Sequence, residues 1–155
     1  MAHSAIRVYV HYVWTTKNRE RVLVNEARSR VKEHMLRYAK ENSTEIEALD
    51  VQPEHAHLLV ALSRSQRIED VVKLIKGESS HWINAGNLLP GKFSWQTGYW
   101  AGSVCYQHKD IVKSYINAQD EHHRRKSFVE EFEGVLRDYG YSDAEIADLL
   151  RLESH

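Results

Sequence analysis

Two histidines one residue apart, His55 and His57 in the run HAHLLVAL, are a candidate ion-binding pair. On a β-strand, residues i and i+2 project from the same side, about 6.6 Å apart along the strand, so both imidazoles can converge on one divalent cation above the sheet. Ala56, Leu58, Val60 and Leu62 would then face the other way, into an apolar core. Cross-strand or surface histidines in a chain that holds 10 of them give the same pattern. A second pair, Tyr115 and Gln119, lies four residues apart on one face of a predicted helix, with His122 and His123 a turn further on. A phenol can attack a phosphodiester, and a carboxamide oxygen can complete a His-His-oxygen metal site. A core aromatic and a solvated glutamine show the same spacing. Third, Lys17, Arg19, Arg21, Lys73, Lys76, Arg124 and Arg125 interleave with Trp82, Trp95 and Trp100. Cations suit phosphates and aromatic faces suit unpaired bases, so these are candidate contacts to single-stranded nucleic acid. Solvated basic faces and buried tryptophans are the plainer account of them.

The elements that must position these groups are legible as patterns. Ile6 to Thr16 is β-branched and aromatic with near alternation, a predicted strand that ends at Lys17-Asn18-Arg19. A helix is predicted from Asn25, as its cap, to about Lys40. Thr44 to Val51 and His55 to Leu62 read as strands separated by Pro53-Glu54. Ser65 to about Asn84 has helical spacing and Gly86 as a stop, Trp95 to Tyr106 reads as extended, and Asp110 to His123 as a third helix. Strand, helix, strand, strand, helix, strand, helix is the order of a ferredoxin-like split βαβ, an α+β fold whose antiparallel sheet carries helices on one face. The opposite face is expected to stay free for a ligand or a partner sheet. After Ser127 a helix is expected through Leu136, a turn at Gly140, and a last short helix capped by Ser142.

Length and composition set the outer bounds. The chain has 155 residues, 42% of them hydrophobic and 28% charged, which fits one globular domain and excludes wholesale disorder. Cys105 is the sole cysteine, so an intrachain disulfide and cysteine-based zinc ribbons are excluded. Charge and aromatics crowd the first residues and no run of 18 apolar residues occurs, so a cytoplasmic protein with no membrane span is expected. The net charge of −1 divides unevenly: residues 1–126 carry +5 and residues 127–155 carry −6. A basic body with an acidic end is compatible with a polyanionic partner.

Five stretches in order give these features a common source: HYVWTTKNR (11–19), PEHAHLLVAL (53–62), IEDVVKLIKGESSHWIN (68–84), FSWQTGY (93–99) and VKSYINAQDEHHRRKSFVEEF (112–132). Together they make the chain resemble the single-tyrosine HUH transposases of small bacterial insertion sequences, most closely the group of REP-associated tyrosine transposases. The resemblance runs to about Tyr139 and departs at Ala56, where Val or Ile is usual, and at Trp100 and Gly102, where Gly and Phe are common after the GY dipeptide.

Residues 1–126 are expected to form the catalytic domain that the resemblance implies, and the acidic helical extension over 127–155 is expected to pack on it. The resemblance places the paired metal ligands on His55 and His57, the nucleophile on Tyr115 and the third metal ligand on Gln119, with Mg²⁺ or Mn²⁺ as the ion. The implied reaction is cleavage and rejoining of single-stranded DNA with hairpin ends through a 5′-phosphotyrosine, carried out by a homodimer. Two other readings of the same residues are a metal-dependent single-strand nuclease that uses water, with Tyr115 structural, and a ferredoxin-like nucleic-acid-binding protein without catalysis.

Overall fold

The computed structural model describes residues 3–152, so the first two residues of the predicted 1–126 unit and the last three of the 127–155 extension lie outside the described residues. Four strands, β1 (Val8–Thr15), β2 (Glu45–Val51), β3 (His55–Leu62) and β4 (Trp100–Val104), form one sheet in the order β2-β3-β1-β4. Every neighbouring pair is antiparallel. Helices α1 (Asn25–Glu41) and α2 (Ile68–Ala85) fill the two crossovers. The ferredoxin-like order expected from the sequence is therefore the one observed. None of the described helices is long and apolar enough to cross a membrane.

Strand alternation divides the sheet into two faces. On the first, Val10, Tyr12 and Trp14 of β1 stand opposite Val60, Leu58 and Ala56 of β3. They pack with Val31, Met35 and Ala39 of α1 and Val71, Val72, Ile75 and Ile83 of α2 in one buried cluster. Burying such side chains stabilises the fold by roughly 1.5–3 kcal/mol each. Two indoles enter this core: the Trp95 N–H donates to Ser79 Oγ at 2.9 Å, whereas the buried Trp14 N–H has no partner.

The expectation that the second face stays free is corrected. Tyr9, Leu59 and Val104 also point there, and apolar groups of that size need cover. Helix α3 (Lys109–Asn117) supplies Ile116. Helices α5 (Phe128–Asp138) and α6 (Asp143–Leu152) bring Phe128, Phe132, Leu136 and Ile146 onto Val13 and Trp100. The acidic extension is thus also a core element of this face. Ser127 Oγ accepts from the Glu130 N–H at 3.3 Å to start α5, and Ser142 and Glu145 form a reciprocal capping box at α6.

Three further expectations are corrected in detail. Asn25 does not cap α1: Val24 holds the cap position without a side-chain bond, and Asn25 itself turns the chain at φ 56°. Leu23, fully buried with its N–H on the Pro53 carbonyl, forces that turn, which Asn tolerates. The third helix breaks at Ala118 into α3 and a short α4 (Gln119–His122). There Asp120 is drawn to Gln52, whose amide donates to it at 2.9 Å, and Arg28 joins the same carboxylate. The extended segment is shorter than predicted, because Trp95 makes only an isolated bridge to Thr16 and Gly98 turns at φ 89° before β4 begins. The sequence departure at Trp100 and Gly102 has a steric reason: the Trp100 ring lies over Gly102, where a Cβ would sit 2.5 Å from it and 2.7 Å from the Tyr139 ring.

Candidate active site

His55 and His57 project from β3 onto the second face, both fully buried, their ring centroids 5.2 Å apart. Each ring is held by its Nδ1. Glu54 Oε1 accepts from His55 Nδ1 at 2.6 Å, and His57 Nδ1 lies 3.0 Å from Nε2 of His11, a buried residue of β1. Burial lowers the pKa of His55 against the opposing effect of Glu54, and burial with the nearby His57 lowers that of His11 well below 6.5. Their rings are accordingly neutral near pH 7. The Nε2 atoms of His55 and His57 have no hydrogen-bond partner. A buried polar atom left unpaired costs about 1–3 kcal/mol, so two of them on one spot indicate a built ligand site. Imidazoles whose second nitrogen is held by a carboxylate or another ring are what metal-ligating histidines look like, and the residues present fit a divalent cation.

Facing them is a second cluster. The Tyr115 hydroxyl on α3 donates to Oε1 of Glu131, which α5 inserts from the other side. The Gln119 amide donates to the same oxygen at 3.0 Å, and its carbonyl accepts from His123 Nε2 at 2.9 Å. Glu131 Oε1 lies 3.3 Å from His57 Nε2 without hydrogen-bond alignment. Burial pushes the Glu131 carboxyl up, but His123, His57 and the Tyr115 hydroxyl overrule it and hold the group well below the usual carboxylate range. The Tyr115 phenol is pushed up by its burial and by the Glu131 charge. His123, lowered by burial, is raised overall by Glu131. His55, His57, Tyr115 and Gln119, singled out in the sequence, meet here with His11, Glu54, His123 and Glu131, which were not assigned roles there. A signal for Glu131 exists: it takes one position of the buried α5 stripe Phe128, Glu131, Phe132, Leu136, where an apolar residue belongs. His11 likewise interrupts an apolar strand.

The basic and aromatic candidates divide into two groups. Lys17, Arg19 and Arg21 follow β1, and Arg21 pairs with Glu54, the residue that holds His55. Lys17 and Arg21 line a cleft of about 610 Å³ together with Lys92, Leu89 and Phe93. Arg124 and Arg125 follow α4 and are exposed beside His123. Lys73, Lys76 and Trp82 lie instead on α2, which covers the first face, so the sheet separates them from the histidine pair. Any contact they make to nucleic acid would lie on the first face, away from the histidine pair. Lys73 pairs with Glu69 at 2.9 Å, and Trp82 stacks on His34 with centroids 4.0 Å apart. Lys76 gives its ammonium to the Gln96 and Gly98 carbonyls at 2.9 and 2.6 Å, and burial lowers its pKa to about 8.

Comparison with known proteins gives the same neighbourhood. Residues 4–119 match the family described as transposase IS200 like. The chain is 29% identical over 116 residues to the ISDra2 transposase TnpA of Deinococcus radiodurans, covering 72% of this chain and 83% of that one. A crystal structure of a transposase from Deinococcus radiodurans aligns with a TM-score of 0.60 at 28% identity, over 75% of this chain and 93% of that chain. A REP-associated tyrosine transposase bound to a REP hairpin shares the fold, with a TM-score of 0.59 at 18% identity over 78% of this chain and 72% of that one.

Proposed function

The chain belongs to the IS200-like transposase family, and on that premise we propose that it cleaves and rejoins single-stranded DNA at hairpin-bearing ends through a 5′-phosphotyrosine on Tyr115. The observation that carries this reading is the meeting of a tyrosine hydroxyl with two buried, unpartnered imidazole nitrogens. His55 and His57 would hold Mg²⁺ or Mn²⁺, with Gln119 as the oxygen donor the family resemblance implies. The ion, when bound, polarises the scissile phosphate and offsets the charge that develops on it.

The chain's own groups account for the rest. Tyr115 Oη attacks phosphorus, a P–O bond to the tyrosine forms, and the bond to the 3′ oxygen breaks to leave a 3′-hydroxyl. The Tyr115 hydroxyl donates to Glu131 Oε1, which orients it at the site, and the raised phenol needs the bound cation to favour its ionised form. Because the phosphoester energy stays in the tyrosine linkage, a 3′-hydroxyl from another strand end reverses the step without ATP. Glu54 and His11 fix the orientation of the two histidines. The basic cleft beside Lys17 and Arg21 adjoins Glu54 and suits the flanking single strand, with Arg124 and Arg125 on the α4 side.

A homodimer in the cytoplasm is part of this reading, and sedimentation velocity of the purified chain tests the dimer. The function is tested by incubating hairpin-bearing single strands with Mn²⁺ and wild-type or His57→Ala protein. Wild type is expected to cut and His57→Ala to leave the strand intact while keeping its circular-dichroism spectrum. Cutting by a folded His57→Ala at the wild-type rate would overturn the metal site.

A further inference from the structure

We propose that Glu131, carried on α5 outside residues 4–119 that match the family model, is a protein ligand to the divalent cation alongside His55 and His57. The proposal rests on the metal-site reading given above.

Three observations carry it. First, one ligand atom from each of His55, His57 and Glu131 lies within 4.8 Å of the others. Two ligands on opposite sides of a small divalent ion, each at about 2.1 Å, are about 4.2 Å apart, so only a small contraction brings all three onto one ion. Second, His55 Nε2 and His57 Nε2 are buried without a hydrogen-bond partner, and the Glu131 carboxylate stands beside them. Its Oε2 forms an ion pair with His123 Nε2 at 2.8 Å. Two unpaired imidazole nitrogens next to a buried carboxylate are accounted for together by a cation that all three side chains bind. Third, the other polar atom of each side chain is tied down, by Glu54 for His55, by His11 for His57, and by Tyr115 and Gln119 for Glu131. Such ties fix which atom is presented.

The chemistry of the set changes with the carboxylate. Two neutral imidazoles and one carboxamide form an uncharged site, whereas Glu131 adds an anionic oxygen of the kind that Mg²⁺ and Mn²⁺ favour. It also gives the acidic extension a place in the reaction, since the helix that covers the second face then completes the metal site.

Titration of Mn²⁺ alone into the full chain, with the free aquo ion followed by electron paramagnetic resonance, tests the assignment. Glu131→Gln keeps the side-chain volume and removes the charge. It is expected to weaken Mn²⁺ binding tenfold or more and to shrink the Mn²⁺-induced rise in melting temperature. Glu131→Ala is expected to do the same, and melts in EDTA show that each variant is folded. Should either variant fail to fold, the folded one decides. Mn²⁺ binding that is unchanged or tighter in the Glu131 variants, while His55→Ala loses it, overturns the ligand role of Glu131 and leaves the metal-site reading standing. A wild-type chain that binds no Mn²⁺ overturns both.

Discussion

Along β3, Ala56 and Leu58 face one side of the sheet while His55 and His57 face the other, and all four are fully buried. The first side is sealed by α1 and α2 with apolar groups, and of its few polar atoms the Tyr12 hydroxyl and the Trp95 indole N–H find partners while the Trp14 indole N–H does not. The second side holds His11, His55, His57, Gln119 and Glu131 under α3 and α5, with several of their atoms left unpaired. Neighbouring residues of one strand therefore serve opposite ends: one set lowers the free energy of folding, and the other raises it to hold chemistry in a fixed place. The sheet keeps the two apart, so substitutions on the two faces are expected to separate stability from activity.

The largest separation is expected between His57→Ala and Leu58→Ala. The first abolishes cleavage and lowers the urea midpoint less than the second does, because the unpaired Nε2 that it removes offsets part of the cavity and of the lost His11 contact. The second lowers stability by about 2–5 kcal/mol, as a cavity in a packed core does, while the protein that stays folded still cleaves. Equal loss of stability in both would break the division between the faces.

The next effect is on pH dependence in the absence of metal. His11 and His55 are held below 6.5 in the folded state, by burial first and, for His11, by the proximity of His57. The unfolded chain takes up their protons as pH drops through 6.5 and the folded chain does not, so stability falls as pH goes below that value. Each such group steepens the fall by up to about 1.4 kcal/mol per pH unit. His123 runs the other way: its raised value contributes stability that is complete below 6.5 and is lost as pH rises through its folded pKa. Urea melts from pH 7.5 to 5 check this, and His11→Gln is expected to flatten the slope by about one proton. A wild-type profile that is flat or rises toward pH 5 would contradict the neutral state of these rings.

The smallest effect is at the edge of the site. Arg21 is largely exposed although it pairs with Glu54, so Arg21→Ala is expected to change stability by less than about 1 kcal/mol. It should reduce the salt dependence of single-strand binding by about one counterion, while Lys73→Ala on the opposite face leaves that slope unaltered. Fluorescence anisotropy across a salt series distinguishes the two.

Local pattern was enough for the frame of this molecule. The alternation in Ile6–Thr16 and His55–Leu62, the helical spacing after Ser65 and the stop at Gly86 are all realised in β1, β3 and α2. The two histidines were legible because a pair at i and i+2 on a strand must share a side. What escaped the sequence depends on contacts between distant segments. The break at Ala118 follows from Asp120 reaching Gln52 and Arg28, and nothing within Asp110–His123 records it. Glu131 lies 74 positions beyond His57 in the chain, and its place in the site appears only when α5 folds back over the second face. The acidic charge of the extension was visible; that one of its carboxylates turns inward was recorded only as a polar residue in an apolar stripe.

The central claim is that Tyr115 becomes covalently bound to the 5′ phosphate of the cleaved strand. A hairpin-bearing single strand labelled at its 3′ end, incubated with Mn²⁺ and run on a denaturing gel, reports this directly. Wild type is expected to give a slow, protease-sensitive band whose tryptic peptide carries the nucleotide on Tyr115, and Tyr115→Phe none. The same band from Tyr115→Phe, or efficient cleavage by wild type with no adduct at any time, would contradict it.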